Sequence, residues 1–250
     1  MPPALQATTR DSSFASTRWT IVRQAADSQT ASQHALSALS ELCQIYWRPV
    51  YVFLRRQGIA QHDAQDLTQA FFAYVIEKRA YASADPTKGR FRSFLLGTLK
   101  HFAARARDHD RAQKRGGGSA PVELDETAIS EAETYASRST HWNADGVFER
   151  EWAASLARRA FDRLAQEYEL GGKSALFKAL KSRLTAGEAA AIPYEELSKR
   201  LGRTAAHLRV DVGRLRARYR AILREEVSGT VVDPHDVDEE LRYLRQAMIG

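Results

Sequence analysis

"PYEELSKRLGRTAAHLRVDVGRLRARYRAILREE", residues 193–226, decides the fold. Helical spacing from Tyr194 to Leu201 is stopped by Gly202, and Thr204 stands where a hydroxyl can cap a new helix. Two helices therefore meet across a three-residue turn, the layout of a helix-turn-helix. The second helix places Leu208, Val212, Leu215, Tyr219 and Ile222 on one stripe, the spacing of an amphipathic helix with one face in a core. Seven arginines from Arg203 to Arg224 stand against one acid, Asp211, before the closing glutamates. Arg209, Arg216 and Arg220 flank the stripe on one side, and His207, Arg214 and Arg218 flank it on the other. A solvated arginine-rich face is the plainer alternative. Turn, cap and basic second helix agree better on a helix that enters the major groove, with its first turns at base edges and its arginines on phosphate.

Outward from this segment the chain is helical in pattern. Nearly every periodic stretch has helical spacing, and no alternating strand or Asn-Gly hairpin interrupts it. With 44% hydrophobic and 27% charged residues in 250, the composition is that of a folding, water-soluble protein. A net charge of +6 favours a polyanionic partner without naming one. The single cysteine, Cys43, excludes an internal disulfide and a thiolate cluster and reads as a small buried hydrophobe. No apolar run reaches the length of a membrane span and no signal peptide opens the chain, so a cytoplasmic location away from the membrane is expected.

From Ala31 to Gly58, Leu36, Leu39, Leu42, Tyr46, Val50, Phe53 and Leu54 recur at threes and fours, with Pro49 expected to kink or divide the helix. A second helix is expected over "QHDAQDLTQAFFAYVIEK", with Asp63 near its positive end and Leu67, Phe71 and Tyr74 or Val75 inward. Residues 116–147 break the pattern. Three glycines precede "APVELDETAISEAETYASRST", which holds five acids and no base between Pro121 and Tyr135 and reads as a linker. Helical spacing returns with the stripe Phe148, Trp152, Leu156, Ala160 or Phe161, and Leu164. Gly171 and Gly172 end it, and a short amphipathic piece, "KSALFKALKSRL", follows.

"KGRFRSFLLGTLKHFAARARDHDRAQKRGGG", residues 88–118, is two-faced on a helical wheel. Phe91, Phe94, Leu95, Thr98, Leu99, Phe102 and Ala106 share one sector, while Lys100, Arg107 and Arg111 line up opposite. The bland reading is a core helix with a solvated basic back. Lys and Arg there can also neutralise phosphates, and aromatics on the helix edge can stack on exposed bases. Asp108, His109 and Asp110 point about 100° apart in succession, so no metal site is expected. No nucleophile set, phosphate loop or paired catalytic carboxylate stands out, and neither enzyme activity nor a cofactor is expected.

Together, "ALSELCQIYWRPVYVFLRRQG", "HDAQDLTQAFFAYVIEK", "GRFRSFLLGTLKHFAARARDHDRAQKR" and the helix-turn-helix resemble a bacterial RNA polymerase sigma factor of the sigma-70 family. Within it they are similar to the small extracytoplasmic-function group, which keeps only the second and fourth conserved regions. The resemblance covers about residues 18–226 and implies an all-α fold of two small helical domains joined by a flexible acidic linker. Residues 1–17 would be a disordered start, 18–115 the region 2 bundle, 116–146 the linker, 147–227 the region 4 helix-turn-helix, and 228–250 a helical extension. It implies core RNA polymerase and promoter DNA as partners, through the clamp helices of the largest subunit and the flap of the second-largest. An anti-sigma factor or a regulatory kinase could restrain such a protein. Asp63, Asp66 and Gln69 would face polymerase. Arg92, Lys100, His101, Arg107 and Arg111 would hold the minus-10 element, and Arg203, Thr204, His207, Arg209, Arg214, Arg216 and Arg220 the minus-35 element.

Two departures stand inside the pattern: Gln65 and Ala70 replace acids frequent in the family, and Asp211 and Gly213 occupy the second helix of the helix-turn-helix. The tail carries a stripe of Val237, Leu241, Leu244 and Met248 that needs a partner, its own fourth region or another protein. The alternative function is a helix-turn-helix regulator that acts on DNA without polymerase.

Overall fold

The structure, a computed structural model, describes residues 33–78, 80, 90–112, 126–138, 143–185, 192–231 and 233–249. These residues are helical almost throughout, and no strand occurs among them. The helices are α1 (Gln33–Arg56), α2 (Gln61–Glu77), α3 (Phe91–Ala112), α4 (Glu126–Arg138), α5 (Ala144–Leu170), α6 (Ser174–Leu180), α7 (Ser182–Thr185), α8 (Tyr194–Leu201), α9 (Ala205–Ser228) and α10 (Val237–Ile249). A 3-10 turn over Pro234–Asp236 leads into α10. None of these helices is long and apolar enough to cross a membrane.

The first core forms around α1. Val50, Tyr51, Val52, Phe53 and Leu54 are all buried, so over these residues α1 is enclosed on every side, packed among α2, α3, α4 and α5. That enclosure explains why Pro49 does not divide the helix as its ring leads one to expect. Proline removes one ladder hydrogen bond, to the carbonyl of Ile45, but burial of Ile45, Tyr46, Val50 and Tyr51 around it holds the helix together. The chain leaves α1 through Gly58, whose φ of 83° is open to glycine at little cost. Phe71, Phe72 and Val75 of α2 and Phe91, Leu95 and Leu99 of α3 complete this side, with Leu67, Tyr74, Phe94 and Phe102 half-buried at its margin.

The stretch expected as a linker contains a docked helix. On α4, Ile129, Ala132 and Ala136 are buried against α1, and the acids of α4 reach its arginines. Arg48 donates to Glu131 at 3.1 Å, and Arg55 donates to Glu133 at 2.5 and 2.8 Å. Tyr51 donates to Glu133 as well. One isoleucine and two alanines make a thin apolar stripe, and without sight of Arg48 and Arg55 the acids read as solvated. The flanking residues 116–125 and 139–142 lie outside the described residues, as do 1–32.

The two expected domains share helices. The first half of α5 puts Val147, Phe148, Trp152, Ala153 and Leu156 in the first core, and its second half puts Ala160 and Leu164 in a second. On α9, Leu208, Val212, Leu215 and Ile222 belong to the second core and Val227 to the first. Phe177 and Leu180 of α6 and Leu197 of α8 close the second core. The stripe of α10 finds its partner within the chain, against α5 and α9, with Val237 and Leu244 buried and Met248 43% exposed.

Buried glutamates pin this arrangement. Glu151 accepts from Arg48 at 2.8 Å and pairs with Arg158. Glu226 lies between Arg159 at 3.0 Å and Arg163 at 2.6 Å. Glu240 takes Arg90 and Arg92. Each carboxylate is 2% exposed or less and joins two helices or two turns of one, so its charge is buried only because guanidinium groups surround it.

Candidate nucleic-acid interface

The expected helix-turn-helix has the boundaries its residues suggest. α8 ends at Gly202, which takes the left-handed conformation with φ 62°, and Thr204 caps α9 by accepting from the His207 backbone N–H at 3.3 Å. The Thr204 hydroxyl also meets His207 Nδ1 at 3.0 Å. Leu197 of α8 and Leu208, Val212 and Leu215 of α9 are buried together, which fixes the two helices to each other. Outward, Arg203, His207, Arg209, Arg214 and Arg220 are exposed. Arg203 pairs with Asp211 at 2.7 Å, which neutralises the acid that would repel phosphate. Arg214 and Arg220 have no ion-pair partner among the described residues and are free to meet an anion.

Two arginines of the expected basic rails are turned to internal work. Arg216 donates Nε and Nη2 to the carbonyl of Arg183 at 3.3 and 3.1 Å. Arg218 grips Glu167 through two bonds, at 2.6 and 2.7 Å, and this holds the Glu167 carboxyl below the usual carboxylate range. Their guanidinium groups tie α9 to its neighbours, and Arg216 is accordingly placed poorly for the DNA contact expected of it.

On α3 the expectations divide. Arg92 is 4% exposed, so it does not present a surface to DNA. It donates to Glu149 at 2.7 Å and to Glu240, and its guanidinium carbon lies 4.0 Å from the centroid of the Tyr243 ring and 4.8 Å from that of Trp152. The sequence put Arg92 beside a core stripe without showing that α10 and α5 would close over it. Lys100 is exposed but reaches Asp145 of α5 at 2.5 Å. His101 and Arg105 are exposed and free of ion pairs among the described residues. Arg107 and Arg111 lie on α3, but their side chains fall outside the described residues.

His101 and Arg105 border an open groove of about 590 Å³ whose other walls include Tyr74, Phe94, Thr98 and Phe102. The Phe102 ring is 5.5 Å from those of both Phe71 and Tyr74, so the floor is a cluster of contacting aromatic rings. Flat apolar walls with a basic rim suit an unstacked base beside its phosphate. Arg105 was missed as a candidate because on the wheel it falls inside the sector read as core, between Phe94 and Thr98.

The α2 face carries Asp63 and Asp66, both exposed, and Gln69, half-buried. His62 Nδ1 lies 3.2 Å from Asp66, a pair that strengthens only when the imidazole is protonated. Cys43 is half-buried, and desolvation pushes its thiol up to about 11, so it stays protonated and unreactive at neutral pH. No family model matches the chain, and no curated protein or solved structure matches it either.

Proposed function

We propose that this chain is a transcription initiation factor of the sigma-70 type, which joins core RNA polymerase and directs it to promoters. The observation that carries the proposal is the α8–α9 unit: a left-handed Gly202, a Thr204 cap and an outer face with Arg209, Arg214 and Arg220 exposed. In that role α9 enters the major groove of the upstream promoter element, where arginines serve base edges and phosphates. The groove beside α3 accepts a base displaced from the downstream element, with His101 and Arg105 at its rim. The acids of α2 face a basic surface of polymerase and contribute orientation and association rate. The polymerase supplies the chemistry.

A second reading is favoured by one observation: Arg92 and Lys100 are held by internal carboxylates, and the two cores share α5 and α9. A single body of this kind suits a regulator that reads duplex DNA without polymerase. Co-purification with core polymerase separates the two. The sigma reading expects a stable complex that Asp66→Arg weakens about tenfold or more with the helical circular dichroism intact, since a charge reversal at an interface acts against complementarity. Duplex binding without polymerase association at any salt concentration would favour the regulator.

A further inference from the structure

Tyr194, packed at the margin of the second core, has two arginines over its ring, an arrangement that a helix-turn-helix does not require for folding. Tyr194 is the first residue of α8. The guanidinium carbon of Arg183, on α7, lies 3.8 Å from the centroid of its ring, and that of Arg209 lies 5.0 Å from the same centroid. Arg183 is 7% exposed, donates to the Ile192 carbonyl, and has its own carbonyl held by Arg216. Arg209 is exposed and sits in the second turn of α9.

The consequence is a difference among the exposed arginines of α9. A guanidinium resting on an aromatic face is restricted to a few orientations, and its planar fork of donors is set before any ligand arrives. That fork matches the N7 and O6 acceptors of guanine. Arg214 and Arg220 have no aromatic platform among the described residues, so they are mobile charges of the kind that suits phosphate.

We propose that Arg209 reads a guanine in the major groove, and that Tyr194, backed by Arg183, is the positioning residue that orients it. This rests on α8–α9 binding duplex DNA and is independent of polymerase. It also gives the α6–α7 segment a purpose, because α7 supplies the arginine that fixes the ring.

The test is selection from a sequence-randomised duplex library by the full-length chain, with the bound duplexes sequenced. The wild type is expected to select a motif with a preferred guanine. Arg209→Lys keeps the charge but not the fork, and should lose that preference by about ten- to hundredfold while the other positions hold. Tyr194→Phe keeps the platform and should retain the motif, whereas Tyr194→Leu should relax the guanine alone. Arg214→Ala and Arg220→Ala should weaken all sequences evenly, each lowering the slope of log affinity against log salt by about 0.9. An unchanged motif in Arg209→Lys, an even loss at every position, or no selected motif would overturn the proposal. If Tyr194→Leu fails to fold, Arg209→Lys and Tyr194→Phe decide. A motif that follows Arg209 in a chain that never supports transcription leaves this assignment standing and removes the sigma reading.

Discussion

Glu226 has no exposed surface, and its two oxygens face Arg159 and Arg163 of the neighbouring helix. Such a carboxylate contributes little as a pair, because desolvation offsets attraction, but removing it strips its hydrogen bonds from two guanidinium groups, leaving Arg159 to Gln44 and Glu41 and Arg163 to Glu225. Glu226→Ala is therefore expected to cost about 1.5–3 kcal/mol, read from the shift in urea midpoint at constant slope. A cost under about 0.5 kcal/mol, the range of ordinary surface changes, would mean that the cluster is not closed in solution. At this scale the sequence was an uneven guide. Thr204 and Gly202 announced their roles because a cap and a left-handed turn are decided by nearest neighbours. Arg92, Arg216 and Glu226 did not, because a guanidinium on a wheel looks alike whether it meets water or a carboxylate 148 positions away, as Arg92 does with Glu240.

Among the elements, α4 departs most from what its residues suggest. Its acids look solvated in one dimension and are ligands of Arg48 and Arg55 in three. The hydrogen bond from Arg55 holds the Glu133 carboxyl below its ordinary value of 4.5. A folded-state value below the unfolded one gives stability that is complete above the unfolded value and is lost as pH falls through the folded one. Wild type and Glu133→Gln, compared by urea midpoint, should differ at neutral pH and converge as the pH drops below 4.5. A gap that stays constant across that range would show that Glu133 is not held by Arg55. By contrast, α2, α3 and α9 were legible because each carries a full apolar stripe: Phe71 and Val75, Leu95 and Leu99, Leu208 and Leu215 recur at helical spacing and are buried as that spacing requires. Pro49 was expected to kink or divide its helix, and the division does not occur because a local rule met an enclosing core.

For the whole molecule, the all-helical class followed from periodicity, while the expected division into two domains is not confirmed, since α5 and α9 each serve both cores. Both helices carry apolar residues for two cores, and a continuous stripe gives no sign of where one core ends. The α10 helix adds a third tie, pairing Asp238 with Arg224 of α9 and Glu240 with Arg92 of α3. The residues proposed to face DNA thus stand on one framework: the α9 arginines on one core and the aromatic groove beside α3 on the other. The central claim is that this framework places polymerase at promoters. Transcription by purified core polymerase with the full chain on fragmented genomic DNA tests it most directly. The account predicts reproducible start sites that share an upstream and a downstream element, and that weaken with Asp66→Arg. Absence of promoter-specific starts, while a control sigma factor works with the same polymerase, would contradict it.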